Sequence, residues 1–189
     1  MIELLVACCY CPDTVYYSYT NCSMTISVLN NSGPRPVVTQ LNTIPKEAFG
    51  IRVEIHRNEY VCETTPANSL VFQSAYAMSC DCPPEFQFLP LDEITNLKIT
   101  TVNDFDSEHP ANADVTEYFY VSSGYEFTEI PDYVHNIQSE LNGFVTPTLE
   151  FDLLLMYPPT LGSHHQFSIE VELSDGRFFN VETEVLELN

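Results

Sequence analysis

Two sets of side chains in this chain of 189 residues have the types and spacing for chemistry. The first is thiols, at Cys8, Cys9, Cys11, Cys22, Cys62, Cys80 and Cys82, most of them in two tight clusters. The second is carboxylates, Asp104, Asp106, Glu108 and Asp114, gathered in the run VNDFDSEHPANAD. Thiols can pair as disulfides, hold a soft metal or accept a lipid. Carboxylates spaced along one flexible loop suit a hard cation such as calcium.

The odd number of cysteines invites one to be set aside. Leu5, Val6, Ala7 and Cys8 resemble the lipobox of bacterial lipoproteins, in which a small residue precedes a cysteine that is diacylated and becomes the mature N-terminus. The preceding segment is short, Glu3 interrupts it and no Lys or Arg leads it, so the expectation is that the true start lies upstream. Four apolar residues in a row are far from the roughly 20 that span a bilayer. Membrane attachment is therefore expected through lipid on Cys8 alone.

Six cysteines remain: Cys9, Cys11, Cys22, Cys62, Cys80 and Cys82. In an exported domain they are expected to form three disulfides. Spacing leaves the connectivity open. A bridge within Cys80-Asp81-Cys82 would be strained, so pairing of the N-terminal cluster with the 80–82 segment is the easier arrangement. A four-thiolate metal site from Cys9, Cys11, Cys80 and Cys82 stays open as the alternative, although zinc sites favour a wider spacing.

In the acidic run, Asp104, Asp106 and Glu108 are the candidate metal ligands, with calcium as the ion. An EF-hand is excluded, because His109 stands where the sharp turn needs Gly and no Glu falls at the twelfth position. The competing expectation is structural: Asp106 and Asp114 cap turns, while Phe105 anchors the loop in the core. His164 and His165 sit side by side on a strand entry, which points their rings to opposite sides and makes joint chelation awkward. No G-x-S-x-G, H-E-x-x-H or P-loop occurs, and no nucleophile has a visible base. No catalytic residue and no resident cofactor is expected. Tyr16, Tyr17, Tyr19, Tyr118, Tyr120 and Tyr125 offer a contact face for protein or glycan, and the absence of Trp weakens the glycan version.

The elements that must position these groups are mostly strands. Phe, Tyr, Thr and Val are abundant and period-2 alternation recurs: Met24, Ile26 and Val28; Ile51, Val53 and Ile55; Leu97 and Ile99; Leu149, Phe151, Leu153 and Leu155; Phe167, Ile169, Val171 and Leu173. Leu154 fills the polar face of its segment and predicts a more central strand. Phe179, Val181, Thr183 and Val185 continue the alternation until the phase slips at Leu186 and Leu188. Asp175-Gly176 predicts a hairpin turn. One amphipathic helix is expected from Ile130, Val134, Ile137 and Leu141, with Pro131 in its first turn and Gly143 as its stop. A second, of two turns, is expected to start at Asp114 with Glu117 completing a capping box. The whole reads as an antiparallel β-sandwich, Ig-like or similar, with one or two short helical insertions. Residues 1–22 form a tether stapled by cysteines and 23–189 a single domain.

Six basic residues against 27 acidic ones give a formal charge of −21. With no basic stripe to neutralise phosphates, nucleic acid is excluded as a partner. The segments FQSAYAMSCDC, LDEITNLKITTVNDFDSEHPANADVTEYF and HQFSIEVELSDGRFF resemble a family of uncharacterised exported lipoproteins from Bacteroidetes, the DFD-x-x-HPA run at 104–111 being the most specific part. The resemblance implies export, lipid on Cys8, and no catalytic residues to carry over. Two functions follow as expectations. The first is a lipid-anchored protein of the cell envelope, at the outer membrane and facing periplasm or surface, that binds a protein or glycan or joins an assembly. The second is an exported calcium-dependent hydrolase using the loop at 104–114.

Overall fold

The computed structural model describes residues 15–58, 86–123, 126–137 and 147–189. They build a mainly β protein. In chain order the strands are β1 (Val15–Asn30), β2 (Val37–Val38), β3 (Thr43–Ile44), β4 (Phe49–Asn58), β5 (Phe86–Pro90), β6 (Ile94–Thr101), β7 (Phe119–Ser122) and β8 (Phe127–Glu129). Helix α1 (Ile130–Asn136) follows, then β9 (Thr148–Leu155), β10 (His164–His165), β11 (Phe167–Leu173), β12 (Phe178–Glu182) and β13 (Leu186–Leu188).

The large sheet runs β2-β1-β4-β9-β7-β8, with β5 added to the N-terminal half of β1. A second sheet runs β12-β11-β6 and a third β10-β13-β3. Most pairings are antiparallel, while β1 with β5 and β13 with β3 are parallel. The alternation seen in the sequence is the reason for the layering. Ile51, Val53 and Ile55 of β4, Phe151 and Leu153 of β9, and Val121 of β7 turn one face of the large sheet inward. Leu97 and Ile99 of β6 and Phe167, Ile169 and Val171 of β11 face them across a shared core. Phe49 stacks on Phe167 with ring centroids 5.3 Å apart, and Phe119 meets Phe167 edge-on at 5.5 Å, tying the two layers together. Each such buried aromatic contributes its burial plus about 1 kcal/mol of ring contact.

Local details follow from particular residues. Gly176 takes φ 85° in the β11–β12 turn, a conformation that favours glycine. After β12 the phase does slip: Val185 is exposed while Leu186 and Leu188 are buried, so β13 can pair with β3 and β10. Strand β9 lies between β4 and β7, and its Leu154 is buried. Leu154 packs onto Gly50, where an added Cβ would lie 2.6 Å from its Cδ2 and 2.9 Å from the Leu153 carbonyl oxygen. Glycine is required there for close approach.

Two expectations about segments change. The expected two-turn helix at 114–119 is a single 3-10 turn over Thr116–Tyr118 that leads straight into β7. Asp114 is bridged to Thr100 and the Val115 N–H donates to the Ile99 carbonyl, so the backbone where a helix would nucleate is committed to β6. The other helix is present as α1, with Pro131 in its first turn and Ile130 and Ile137 buried; Leu141 and Gly143 lie outside the described residues. The expected boundary after residue 22 falls inside β1, whose residues Val15–Tyr19 pair with β5 and whose later residues pair with β4.

Candidate functional site

The acidic loop is built between β6 and the 3-10 turn. Phe105 is fully buried and holds the loop down, its ring against Tyr118, His109, His165 and Phe167. Its carbonyl accepts N–H groups from Thr160 and Leu161, joining the loop to the chain after β9. Around that anchor each aspartate turns to its own backbone. Asp104 Oδ1 accepts the Ala111 N–H at 2.9 Å. Asp106 Oδ1 accepts the N–H groups of Glu108 and His109, each at 2.8 Å, and lies 2.8 Å from His109 Nδ1. Asp114 Oδ1 accepts from the Thr116 N–H and hydroxyl. Desolvation would raise the Asp106 pKa, but the bonds from His109 and Glu108 outweigh it and hold the carboxyl below its usual range. Among the described residues no three His, Cys, Asp or Glu side chains converge as a metal ion would require. Glu108, the third candidate ligand, offers its backbone N–H to Asp106.

His164 and His165 do point to opposite sides: His164 is exposed and His165 is fully buried against Phe105 and Phe167. Neither ring nitrogen of His165 makes a hydrogen bond of ordinary geometry. Burial lowers its pKa, with the Gly162 backbone offsetting part of the effect, so the ring is held neutral.

The tyrosines divide. Tyr19 is buried beneath the Arg57 guanidinium, 5.0 Å from its ring centre, and Tyr17 stacks on Phe88. Tyr16 is exposed, and Tyr125 lies outside the described residues. Tyr118 and Tyr120 instead line an open trough of about 750 Å³ that Tyr157 and Pro131 complete. Tyr118 and Tyr157 meet edge-on, centroids 6.1 Å apart. A second trough of about 710 Å³, lined by residues of β6 and α1, shares Asp114, Thr116, Ile130 and Pro131 with the first. The two troughs adjoin at these shared residues beside the start of α1, and the channel is their combined surface. The sequence pointed to Tyr118 and Tyr120; Glu117 was read only as part of a capping box, and Glu129 and Tyr157 carried no signal beyond their polarity, because a 3-10 turn, β8 and the β9 exit bring the three together.

A buried polar clasp also escaped the sequence. Asp92, 2% exposed, accepts from the Thr20 hydroxyl, the Asn21 N–H and side-chain amide, and Arg177. Arg177 further donates from Nε to Asp175, from Nη1 to the Asn21 carbonyl at 2.9 Å and from Nη2 to the Thr20 hydroxyl. The clasp joins β1, the β5–β6 turn and the β11–β12 hairpin. Cys22 stands beside it in β1, its Sγ 3.6 Å from the Thr20 carbonyl oxygen. Cys8, Cys9, Cys11, Cys62, Cys80 and Cys82 lie outside the described residues.

A family model described as a domain of unknown function, DUF5034, matches residues 21–184. The chain belongs to the DUF5034 family. The DUF5034 match thus spans β1 from Asn21 through β12, including the acidic loop and both troughs. No curated protein and no solved structure matches this DUF5034 chain. Among its described residues no helix is long and apolar enough to cross a membrane.

Proposed function

We propose that this DUF5034 protein is an exported, lipid-anchored envelope protein that acts as a binding module through the tyrosine-lined channel. The observation that carries the reading is that channel, in which half-buried Tyr118 and Tyr120 and exposed Tyr157 line one open trough, and tyrosine supplies broad contact area at low entropic cost. Met156 and Leu161, also exposed, extend the apolar rim of the chain segment that carries Tyr157. Lipid on Cys8 follows from the LVAC segment. Disulfides among Cys9, Cys11, Cys22, Cys62, Cys80 and Cys82 follow from their number and the exported setting. The alternative, a calcium-dependent hydrolase, relies on carboxylates that Asp104, Asp106 and Asp114 direct at their own backbone.

The test places a photo-crosslinking amino acid at Tyr157 in the complete precursor, expressed in its native envelope. A discrete, saturable adduct at Tyr157, absent when the same probe replaces exposed Phe178, is the expected result. Adducts of equal yield at both positions, or none, would overturn the channel as the site. Cys8→Ser should move the protein from the membrane to the soluble fraction; an unchanged partition ends the lipid reading.

A further inference from the structure

We infer that the channel takes an extended peptide segment bearing arginine side chains. The inference rests on the binding reading above and adds the chemistry of the partner. Two of the channel's tyrosines share the trough with a neighbouring glutamate. Tyr120 and Glu129 are cross-strand partners in the β7–β8 pair and line the same trough. Tyr118 follows Glu117, whose side chain is 77% exposed and which lines that trough too. Asp114 lines both troughs, and Glu93 lines the second. Among the described residues Lys98 is the one Lys or Arg that lines either trough, and it lies 3.9 Å from Asp114 Oδ2.

A ring face next to a carboxylate is a receptor for a cation: the quadrupole attracts the charge and the carboxylate accepts its N–H groups. The planar, weakly hydrated guanidinium fits this pairing better than a compact ammonium, because it stacks on the ring while its edge donates to oxygen. A single small cation would fill one such station. Two stations on one trough, with further carboxylates lining the second, match a chain that presents cationic side chains in succession. The protein's overall charge of −21 adds long-range attraction, which raises association rates without selecting the site.

The test is fluorescence anisotropy at physiological salt, using the whole chain and a labelled synthetic peptide of alternating Arg and Ser. Glu117→Gln with Glu129→Gln should weaken binding about tenfold, and Tyr157→Ala several-fold. Glu47→Gln with Glu184→Gln, which removes the same charge at exposed positions outside both troughs, should leave affinity unchanged. The same peptide with citrulline in place of arginine should not bind. Equal losses in both double variants would mean bulk charge alone and would overturn the inference, as would displacement of the peptide by spermine at matched charge concentration. Circular dichroism melts of each variant confirm folding. A saturable adduct at Tyr157 in the envelope without affinity for the arginine peptide rejects the ligand chemistry and leaves the site standing, whereas absence of both rejects the site.

Discussion

Asp92 and Asp106 each gather several hydrogen bonds, yet they do different work. Asp92 is buried, paired with Arg177 and bonded to β1, so its charge joins three chain segments far apart in sequence. Asp106 is partly exposed and bonded within three residues of itself, so its charge shapes one turn. A buried charge that loses its partner leaves a desolvated ion, whereas a turn carboxylate that is lost is largely replaced by water. The density of acidic residues in the sequence is therefore a poor guide to where charge matters.

The sharpest test of that contrast is the loop's anchor. Phe105→Ala should cost about 4 kcal/mol, more than removal of any carboxylate around it, because a fully buried aromatic leaves a cavity. Thermal melts read this directly. Arg177→Met should cost about 3 kcal/mol by leaving Asp92 buried without its cation, lowering Tm by roughly 6–12 °C in a chain of this size. A loss no greater than that of Asp114→Ala would break the comparison. Asp106→Ala and Asp114→Ala should each lower Tm by less than Arg177→Met does, through loosened turn hydrogen bonds, and equally in calcium and in EDTA. A calcium-dependent increment in the wild type, lost in Asp106→Asn, would move the loop from architecture to ion binding. The smallest effect concerns His165. Its folded pKa is lowered, so the unfolded chain takes up a proton that the folded chain refuses, and stability falls as pH drops below the ordinary histidine value of about 6.5. His165→Phe should flatten the Tm profile between about pH 7 and pH 5 relative to wild type.

Much of the sheet was legible because half-buried strands write their burial as alternation: Ile51, Val53 and Ile55 in β4, and Phe167 to Leu173 in β11, are buried as the pattern requires. The slip at Leu186 and the burial of Phe105 were legible for the same reason. The N-terminal half of β1 was less so, since Tyr17, Tyr19 and Asn21 alternate in size rather than in polarity and Cys22 draws attention to thiol chemistry. The parallel pairing of Thr43–Ile44 with Glu187–Leu188 joins opposite ends of the chain, which no local window contains. Asp114 looked like a helix cap because its local chemistry is that of a cap. What decided the backbone was its bridge to Thr100, a tertiary contact. At the candidate site, Tyr118 and Tyr120 stood out by type, but Glu129 reaches Tyr120 only through the β7–β8 register and Glu117 reaches the trough only through the 3-10 turn.

Strand β1 carries its partners along its whole length, β5 and then β4 on their respective stretches and β2 at its far end. Inter-strand hydrogen bonds lie across the strand axis. A pull on the chain at Val15, directed along β1, therefore loads those bonds side by side in shear instead of opening them one at a time like a zipper. That arrangement resists tension applied at Val15 better than a hairpin peeled from its open end would.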